Sequence, residues 1–218
     1  MESNDQVSII STSKFFILDF AVEVAKMNKL SSLIIAYPKF KIKNYQIDKE
    51  RLKCFPYVHG ILMFFSGSFG RFPVALQNFL WSLDVKIFSL YAQKVTKYSS
   101  FIVSMSGIGM NKYTKKRGQK LVIFRSSRHI VEQLEILKNE SQKLGVKIPL
   151  PSRSSVKLEL SEYNVADKII VASQICKESF LRQGIDSEKV SVLRFPYELT
   201  GYEPESKKIF TKIGRAHV

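Results

Sequence analysis

The sequence predicts an α/β protein with a doubly wound, mostly parallel sheet and helices on both faces. Short β-rich runs alternate with longer segments of helical periodicity over most of the 218 residues, a pattern typical of right-handed β–α–β units. The chain is 45% hydrophobic and 12% aromatic, so it can bury enough apolar surface to offset the entropy of ordering it. A disordered chain is therefore excluded.

The first part of the chain contains three predicted strands and one helix between the first two. Residues 7–10 form the first β-rich run, and the hydroxyl side chains at 11–13 can cap a helix that continues to about Met27. Residues 30–37 and 52–55 are two further apolar runs, each closed by a proline. We expect all three runs to be buried strands.

A long helix is predicted from Pro73 onward. Its large aliphatic residues recur at steps of four, three, four and three, at Leu76, Leu80, Leu83, Ile87 and Leu90. This spacing places them on one side of a helix, and Ser82, Lys86 and Ser89 fall on the opposite side. We expect the leucine-rich side to face the core.

Three strand-and-helix units then complete the predicted sheet. They are residues 101–105 with a helix to about 116, 119–124 with a helix over 129–144, and 168–172 with a helix to 182. Residues 190–193 add a strand, and the prolines and serines at 147–155 predict a loop before another helix through Asn164. Ligands of open parallel sheets bind beyond the carboxyl ends of the strands, so the residues directly after each strand are the candidate site.

The chain is strongly basic and has few cysteines. It carries 34 Lys and Arg against 19 Asp and Glu, a net charge of +15, which favours phosphates, anionic lipid surfaces or nucleic acid as partners. Cys54 and Cys176 have no CxxC companion, so we expect neither a disulfide framework nor a metal site. The polar start of the sequence, and an apolar run at 60–69 that is shorter than the about twenty residues of a spanning helix, predict a cytoplasmic chain without a transmembrane segment.

The densest polar cluster follows the strand at 119–124. Arg125 and Arg128 offer planar donor forks that suit phosphate or sugar oxygens. Ser127 can cap the next helix, and the N-terminus of that helix would lower the pKa of His129, so that a neutral imidazole could orient a hydroxyl. The alternative is a solvated turn with a capping serine.

Two glycine-rich loops are weaker candidates. Ser106, Gly107, Ile108 and Gly109 follow the strand at 101–105 and could bring backbone N–H groups to an anion. The spacing matches no complete dinucleotide or nucleotide-phosphate motif, so an ordinary turn is the alternative. Residues 66–70 are more typical of a mobile loop.

Three carboxylates lie near the strand at 168–172. Glu159, Glu162 and Asp167 could perform acid–base chemistry. We interpret them instead as solvated ion-pair partners, because carboxylates on a helix among many lysines usually are. No Ser-His-Asp or Cys-His arrangement can be assigned from chain order.

The second half of the chain resembles the N-terminal domain of retaining glycosyltransferases of family four, which have the GT-B architecture. Residues 124–140 read F-R-S-S-R-H-I followed by Q-x-x-I-L-x-x-E, and residues 159–173 read E-x-x-E-Y-x-x-A-D-x-I-x-V-x-S. Residues 179–198 are similar to the family's S-F, G, K-V and P-Y-G stretch, with Glu198 in place of the last glycine. Phe16 stands where the family has a histidine.

The resemblance implies transfer of a sugar from a nucleotide-sugar to an acceptor hydroxyl with retention at the anomeric carbon. It implies a catalytic or orienting role for His129 and substrate binding by Arg125, Ser126, Arg128, Gly107 and Gly109. No cofactor is implied, because the donor substrate is the nucleotide-sugar, which in this family is held mainly by the C-terminal domain.

We therefore divide the chain into a Rossmann-like domain at 1–196, the start of an interdomain linker at 197–211, and residues 212–218. The last six residues correspond to an in-frame translation of a common sequencing adapter, and we interpret them as an artefact. We expect the chain to be a truncated enzyme that is inactive by itself.

The expected partner is a sugar or glycolipid acceptor, as in polysaccharide biosynthesis, with peripheral contact to the anionic inner face of a membrane. No nucleic acid is expected by the resemblance. The alternative is a non-catalytic basic module that binds anionic membrane or nucleic acid, because the net charge of +15 suits both.

Overall fold

The computed structural model describes residues 6–13, 17–42, 47–64 and 72–194. Phe16, the loop at 66–70, the linker at 197–211 with Glu198, and residues 212–218 lie outside the described residues. The predictions made for these positions stay predictions.

The described residues form one seven-stranded sheet in which every neighbouring pair is parallel. The strands are β1 (Val7–Ser11), β2 (Leu30–Ile35), β3 (Leu52–Cys54), β4 (Phe101–Met105), β5 (Lys120–Arg125), β6 (Lys168–Val171) and β7 (Val190–Val192). Their order is β3-β2-β1-β4-β5-β6-β7, so the chain winds outward from β1 in one direction and then from β4 in the other. The predicted doubly wound parallel sheet is confirmed.

Helices connect the strands. They are α1 (Ile17–Lys26), α2 (Tyr57–Phe64), α3 (Val74–Val95), α4 (Asn111–Arg117), α5 (Ile130–Leu144), α6 (Arg153–Val165) and α7 (Gln174–Arg182). Short 3-10 turns occur at Lys39–Ile42, Thr96–Tyr98 and Ser187–Lys189. The sequence patterns predicted every one of these α-helices except α2.

Both faces of the sheet are buried, because neighbouring residues of its central strands enter different core clusters. On β1, Ile10 belongs to one cluster and Ile9 to the other. On β5, Ile123 and Phe124 divide in the same way. Burial on both faces explains why the strands read as continuous apolar runs rather than as alternating patterns.

Helix α3 has the predicted position but does not bury the predicted side. Its buried residues are Asp84, Phe88, Ser89, Ala92 and Gln93, whereas Leu76, Leu83 and Leu90 are exposed. The buried polar side chains have partners, since Ser89 Oγ donates to the Gly109 carbonyl and Gln93 Nε2 donates to Ser89 Oγ. Polar groups that are hydrogen-bonded can be buried, so hydrophobic periodicity alone selected the wrong side.

The exposed apolar side of α3 does not make it a spanning helix. None of the helices within the described ranges has both the length and the apolar character needed to cross a lipid bilayer.

The orientation of α3 predicts opposite sensitivities for two neighbouring apolar residues. Phe88 is 2% exposed and Leu90 is 50% exposed. We expect Phe88→Ala to lower the free energy of unfolding by about 3–5 kcal/mol, because it leaves a cavity in the core. Leu90→Ala is the matched control and should cost less than about 1 kcal/mol. Urea unfolding of both variants measures the difference, and a larger loss for Leu90→Ala would contradict this orientation.

Candidate functional site

The candidate site lies where β4 and β5 end, beside the point at which the strand order reverses. β1 pairs with β2 on one side and with β4 on the other, so the connections after β1 and β4 diverge at this edge. In open α/β sheets the crevice beyond such a point is the usual ligand site. The loop after β4 meets the end of β5 here, since Ser106 N donates to the Phe124 carbonyl at 3.0 Å.

The loop after β4 depends on its two glycines. Gly107 and Gly109 both have a backbone φ of +85°, a conformation that residues other than glycine rarely adopt. A Cβ atom at Gly109 would also lie 3.4 Å from Leu158 Cδ1. The loop therefore approaches α6 closely with its backbone amides exposed to that helix.

The amides of this loop bind a carboxylate of the protein itself. Gly107 N donates to Glu162 Oε2 and Gly109 N donates to Glu162 Oε1, both at 2.6 Å. Burial raises the pKa of Glu162 to about 7, although the hydrogen bonds from Gly107 and Gly109 act in the opposite direction. The loop that we predicted to bind an external anion thus binds the carboxyl group of Glu162 on α6.

Arg125, which we expected to contact a ligand, is enclosed by side chains. Its Nη1 lies 2.7 Å from Glu159 Oε2 in an ion pair with side-chain exposures of only 11% and 9%. Nη2 donates to Gln133 Oε1 at 2.5 Å, and Nη1 also donates to Ser106 Oγ at 3.2 Å. The guanidinium therefore joins β4, β5, α5 and α6 rather than facing solvent.

Glu159 and Glu162 are buried, which corrects the interpretation of both as solvated ion-pair partners. Together with Tyr163 they lie on one side of α6, at spacings of three and four residues. Tyr163 OH donates to Glu159 Oε2 at 2.5 Å, and burial followed by the charge of Glu159 raises the pKa of Tyr163 above its usual range. Because Arg125 and the glycine loop supply hydrogen-bond donors, these carboxylates can be buried away from water.

Asp167, the third carboxylate, remains partly exposed at the opposite edge of the sheet. It pairs with Lys120 Nζ at 2.8 Å and accepts a hydrogen bond from Leu121 N at 2.8 Å. The sequence interpretation as an exposed ion pair fits this residue.

His129 is 3% exposed and lies inside the fold. Its Nδ1 accepts a hydrogen bond from Val131 N at 3.3 Å and caps α5, a role that the sequence suggested for Ser127. The ring packs against Tyr163 and Phe180, with centroid distances of 5.1 and 5.0 Å. Burial, more than the nearby Arg125, lowers the pKa of His129 to about 4, so the expected direction holds but the helix terminus is not the main cause.

Ser126 and Arg128 are the predicted site residues that reach the surface of this cluster. Ser126 is exposed, and the side chain of Arg128 is 39% exposed. Arg128 forms an ion pair with Glu132, which Arg182 also binds, with Nη2 2.8 Å from Oε1. Hydrogen bonds from Arg182 and Arg128 hold the pKa of Glu132 below its usual value. The turn after β5 thus presents a serine and an anchored arginine to solvent.

A cleft of about 390 Å³ lies at the opposite edge of the sheet. It is lined by Thr114, Gly118, Gln119, Lys120, Leu121, Asn164, Val165 and Asp167. Because this is the amino edge of the strands, the cleft does not belong to the candidate site.

The pKa of Glu162 predicts a pH-dependent stability. A pKa of about 7 in the folded protein, above the ordinary 4.5, means that its stabilising contribution is complete below about pH 4.5 and is lost as the pH rises through 7. Glu162→Gln removes this titration, and comparison with wild type cancels the other titrating groups to first order. We expect the free energy of unfolding of wild type, relative to Glu162→Gln, to fall by up to about 1.4 kcal/mol per pH unit between about pH 5 and 7. Urea unfolding across this range measures it, and a constant difference would argue against the assignment.

Solved structures with a similar fold include HepE (Alr3699) from Anabaena. Its complex with UDP-glucose aligns with a TM-score of 0.53 at 10% identity, over 89% of this chain and 45% of HepE. Its complex with UDP and glucose gives a TM-score of 0.53 at 11% identity over the same shares, 89% and 45%. UDP-GlcNAc 2-epimerase from Methanocaldococcus jannaschii aligns with a TM-score of 0.46 at 11% identity, over 86% of this chain and 45% of the epimerase.

No protein-family model and no curated protein sequence matches the chain. The chain spans 45% of the length of HepE. At identities of 10% and 11%, the similarity to HepE establishes the fold and not the family. The chain therefore has a GT-B-like, Rossmann-type α/β fold.

Proposed function

We propose that this chain is the acceptor-side half of a glycosyltransferase that moves a sugar from a nucleotide-sugar to an acceptor hydroxyl. The observation that carries the proposal is a GT-B-like sheet with a polar cluster at the carboxyl ends of β4 and β5. HepE, which shares the fold, has been solved in complex with UDP-glucose and with UDP and glucose. This chain covers 45% of HepE, so the proposed enzyme contains a second half, to which we assign binding of the nucleotide-sugar.

The exposed and buried residues of the cluster have different roles in this proposal. Ser126 and Arg128 contact the acceptor, because they reach the surface directly after β5. Arg125 and the loop of Gly107 and Gly109 form the rigid base of the site, because internal carboxylates hold them. His129 is a positioning residue that keeps the turn of Arg128 in place by capping α5.

The finer features follow from the family resemblance and are part of the proposal. The transfer retains the anomeric configuration, no cofactor besides the donor takes part, and the acceptor belongs to a polysaccharide or glycolipid on the cytoplasmic side. This chain alone lacks transfer activity, since the donor is held by the other half.

Arg128→Ala tests the role of the turn after β5, in a protein that joins this chain to its nucleotide-binding half. We expect kcat/KM for the acceptor to fall at least about tenfold, or about 1.4 kcal/mol, with UDP-glucose as donor and UDP release as the readout. Arg182→Ala is the matched control, because both arginines bind Glu132 but Arg182 lies on α7. An equal loss of kcat/KM in both variants would contradict the assignment of Arg128 to the acceptor site.

A second candidate function, contact with an anionic membrane, is favoured by the exposed side of α3. Phe79, Leu83 and Leu90 are exposed there, and so are Lys86 and Lys94. The prediction that Lys86 lies opposite the leucines is wrong, because at 3.6 residues per turn it lies within about 60° of both Leu83 and Leu90. Exposed apolar side chains can enter the membrane interface, and lysines near them are attracted to anionic lipids. Such contact would bring a glycolipid acceptor to the transferase site.

Vesicle co-sedimentation tests this contact. The chain should bind phosphatidylcholine vesicles that contain phosphatidylserine, and Lys86→Glu with Lys94→Glu should weaken binding at least about tenfold, since each lysine near the surface contributes about 1 kcal/mol. Lys138→Glu with Lys143→Glu makes the same charge change on α5. If this control loses as much binding, net charge and not the α3 surface is responsible.

A further inference from the structure

A histidine and an aspartate form a pair outside the cluster of β4 and β5. His59 Nδ1 lies 2.8 Å from Asp84 Oδ2, and the side chains are 13% and 5% exposed. His59 is in the first turn of α2, and Asp84 is on the buried side of α3. The sequence gives no signal for this pair, because the two residues are 25 positions apart on different helices.

The pair lies at the carboxyl edge of the sheet. β3 ends at Cys54 and α2 begins at Tyr57, so His59 follows directly after a strand. On α3, Asp84 precedes Ser89 by five residues, which is about 7.5 Å along a helix, and Ser89 Oγ donates to the Gly109 carbonyl at 3.3 Å. The pair and the glycine loop therefore lie at the same edge, after β3 and β4, on the two sides of the strand-order reversal.

Asp84 determines which nitrogen of His59 can accept a hydrogen bond. A carboxylate that accepts from Nδ1–H fixes the tautomer and leaves Nε2 with a free lone pair. His59 retains some exposure, whereas His129 is buried and its Nδ1 already caps a helix. Of these two histidines, His59 is the one suited to accept a hydrogen bond from an external hydroxyl.

Two aromatic rings flank His59. The centroid of the Tyr37 ring lies 6.2 Å from the imidazole, and the centroid of the Trp81 ring lies 5.9 Å from it. Trp81 is 36% exposed. Aromatic faces pack against the apolar C–H face of a sugar ring, and a few placed polar groups then fix its orientation.

We infer that His59, Asp84, Tyr37 and Trp81 form a binding subsite for a hexose of the acceptor. In this subsite His59 Nε2 accepts a hydrogen bond from a sugar hydroxyl, Asp84 holds the imidazole in the required tautomer, and the two rings contact the sugar. Its role in acceptor binding depends on the proposed transferase function, but sugar binding itself is measurable without transfer.

Trp81 provides a direct readout, because it is the single tryptophan of the chain. Titration of the chain with D-glucose should change its intrinsic fluorescence and reach saturation. Asp84→Asn keeps an acceptor oxygen but also offers an amide donor to Nδ1, so it no longer fixes the tautomer. We expect the apparent dissociation constant to rise about fivefold, which corresponds to the net contribution of about one hydrogen bond. Asp167→Asn is the matched control at the amino edge and should bind glucose as wild type does. Glycerol, which has hydroxyls but no ring, should give no saturable change.

The tautomer of His59 separates a binding role from a purely structural bridge between α2 and α3. Long-range ¹H–¹⁵N spectra should show His59 protonated at Nδ1 and not at Nε2, with Nε2 shifting on addition of glucose while the signals of His129 stay unchanged. A structural bridge would stabilise the fold without this response. If Asp84→Asn does not fold, His59→Phe keeps a ring in place and should abolish saturation.

Four results would overturn the inference: no saturable change in the folded wild type, the same change with glycerol, equal weakening in Asp167→Asn, or a proton on Nε2. These outcomes are distinct from those of the transfer assay. Glucose binding without sugar transfer by the longer protein would contradict the proposed function and leave the subsite intact. Sugar transfer by the longer protein without a glucose response at Trp81 and His59 would contradict the subsite and leave the proposed function intact.

Discussion

Two carboxylates on α6 satisfy the hydrogen-bond donors that converge where β4 and β5 end. Glu162 binds the amides of Gly107 and Gly109, and Glu159 binds the guanidinium of Arg125. Without these acceptors the loop amides and a buried cation would be left without partners, which is costly in a low-dielectric interior. The conformation of the glycine loop, the direction of Arg125 and the position of α6 over the sheet all depend on these contacts.

This arrangement separates the carboxyl edge into an internal layer and an accessible layer. The internal layer is held by its own contacts, since Arg125 and Tyr163 bind Glu159 and the amides of Gly107 and Gly109 bind Glu162. The accessible layer consists of Ser126 and Arg128 beside β5, together with the partly exposed imidazole of His59 beyond β3, which pairs with the buried Asp84. A site for exchangeable ligands benefits from this separation, because rigid support keeps exposed groups in place between binding events.

The fold was largely predictable from sequence. Burial of both sheet faces produces apolar runs, and prolines and serines mark where these runs end, so each element can be recognised from its own residues. The side of α3 was not predictable in this way. Asp84 and Ser89 are buried with partners from other parts of the chain, His59 and the Gly109 carbonyl, and Gln93 in turn donates to Ser89. Periodicity measures hydrophobicity along one element, and it contains no information about those partners.

The same reason limited the prediction of the site. The turn after β5 was identified because its polar residues are adjacent in sequence, and the E-x-x-E-Y spacing marks one side of α6. Whether that side faces water or hydrogen-bond donors depends on a loop more than fifty residues away, since Glu162 contacts Gly107 and Gly109 across 55 and 53 positions.

The separation in sequence between Glu162 and the glycine loop also imposes an order on synthesis at the ribosome. The amides after β4 stay hydrated until α6 has emerged, so a nascent chain completes this edge late and exposes it to chaperones or neighbouring chains in the meantime.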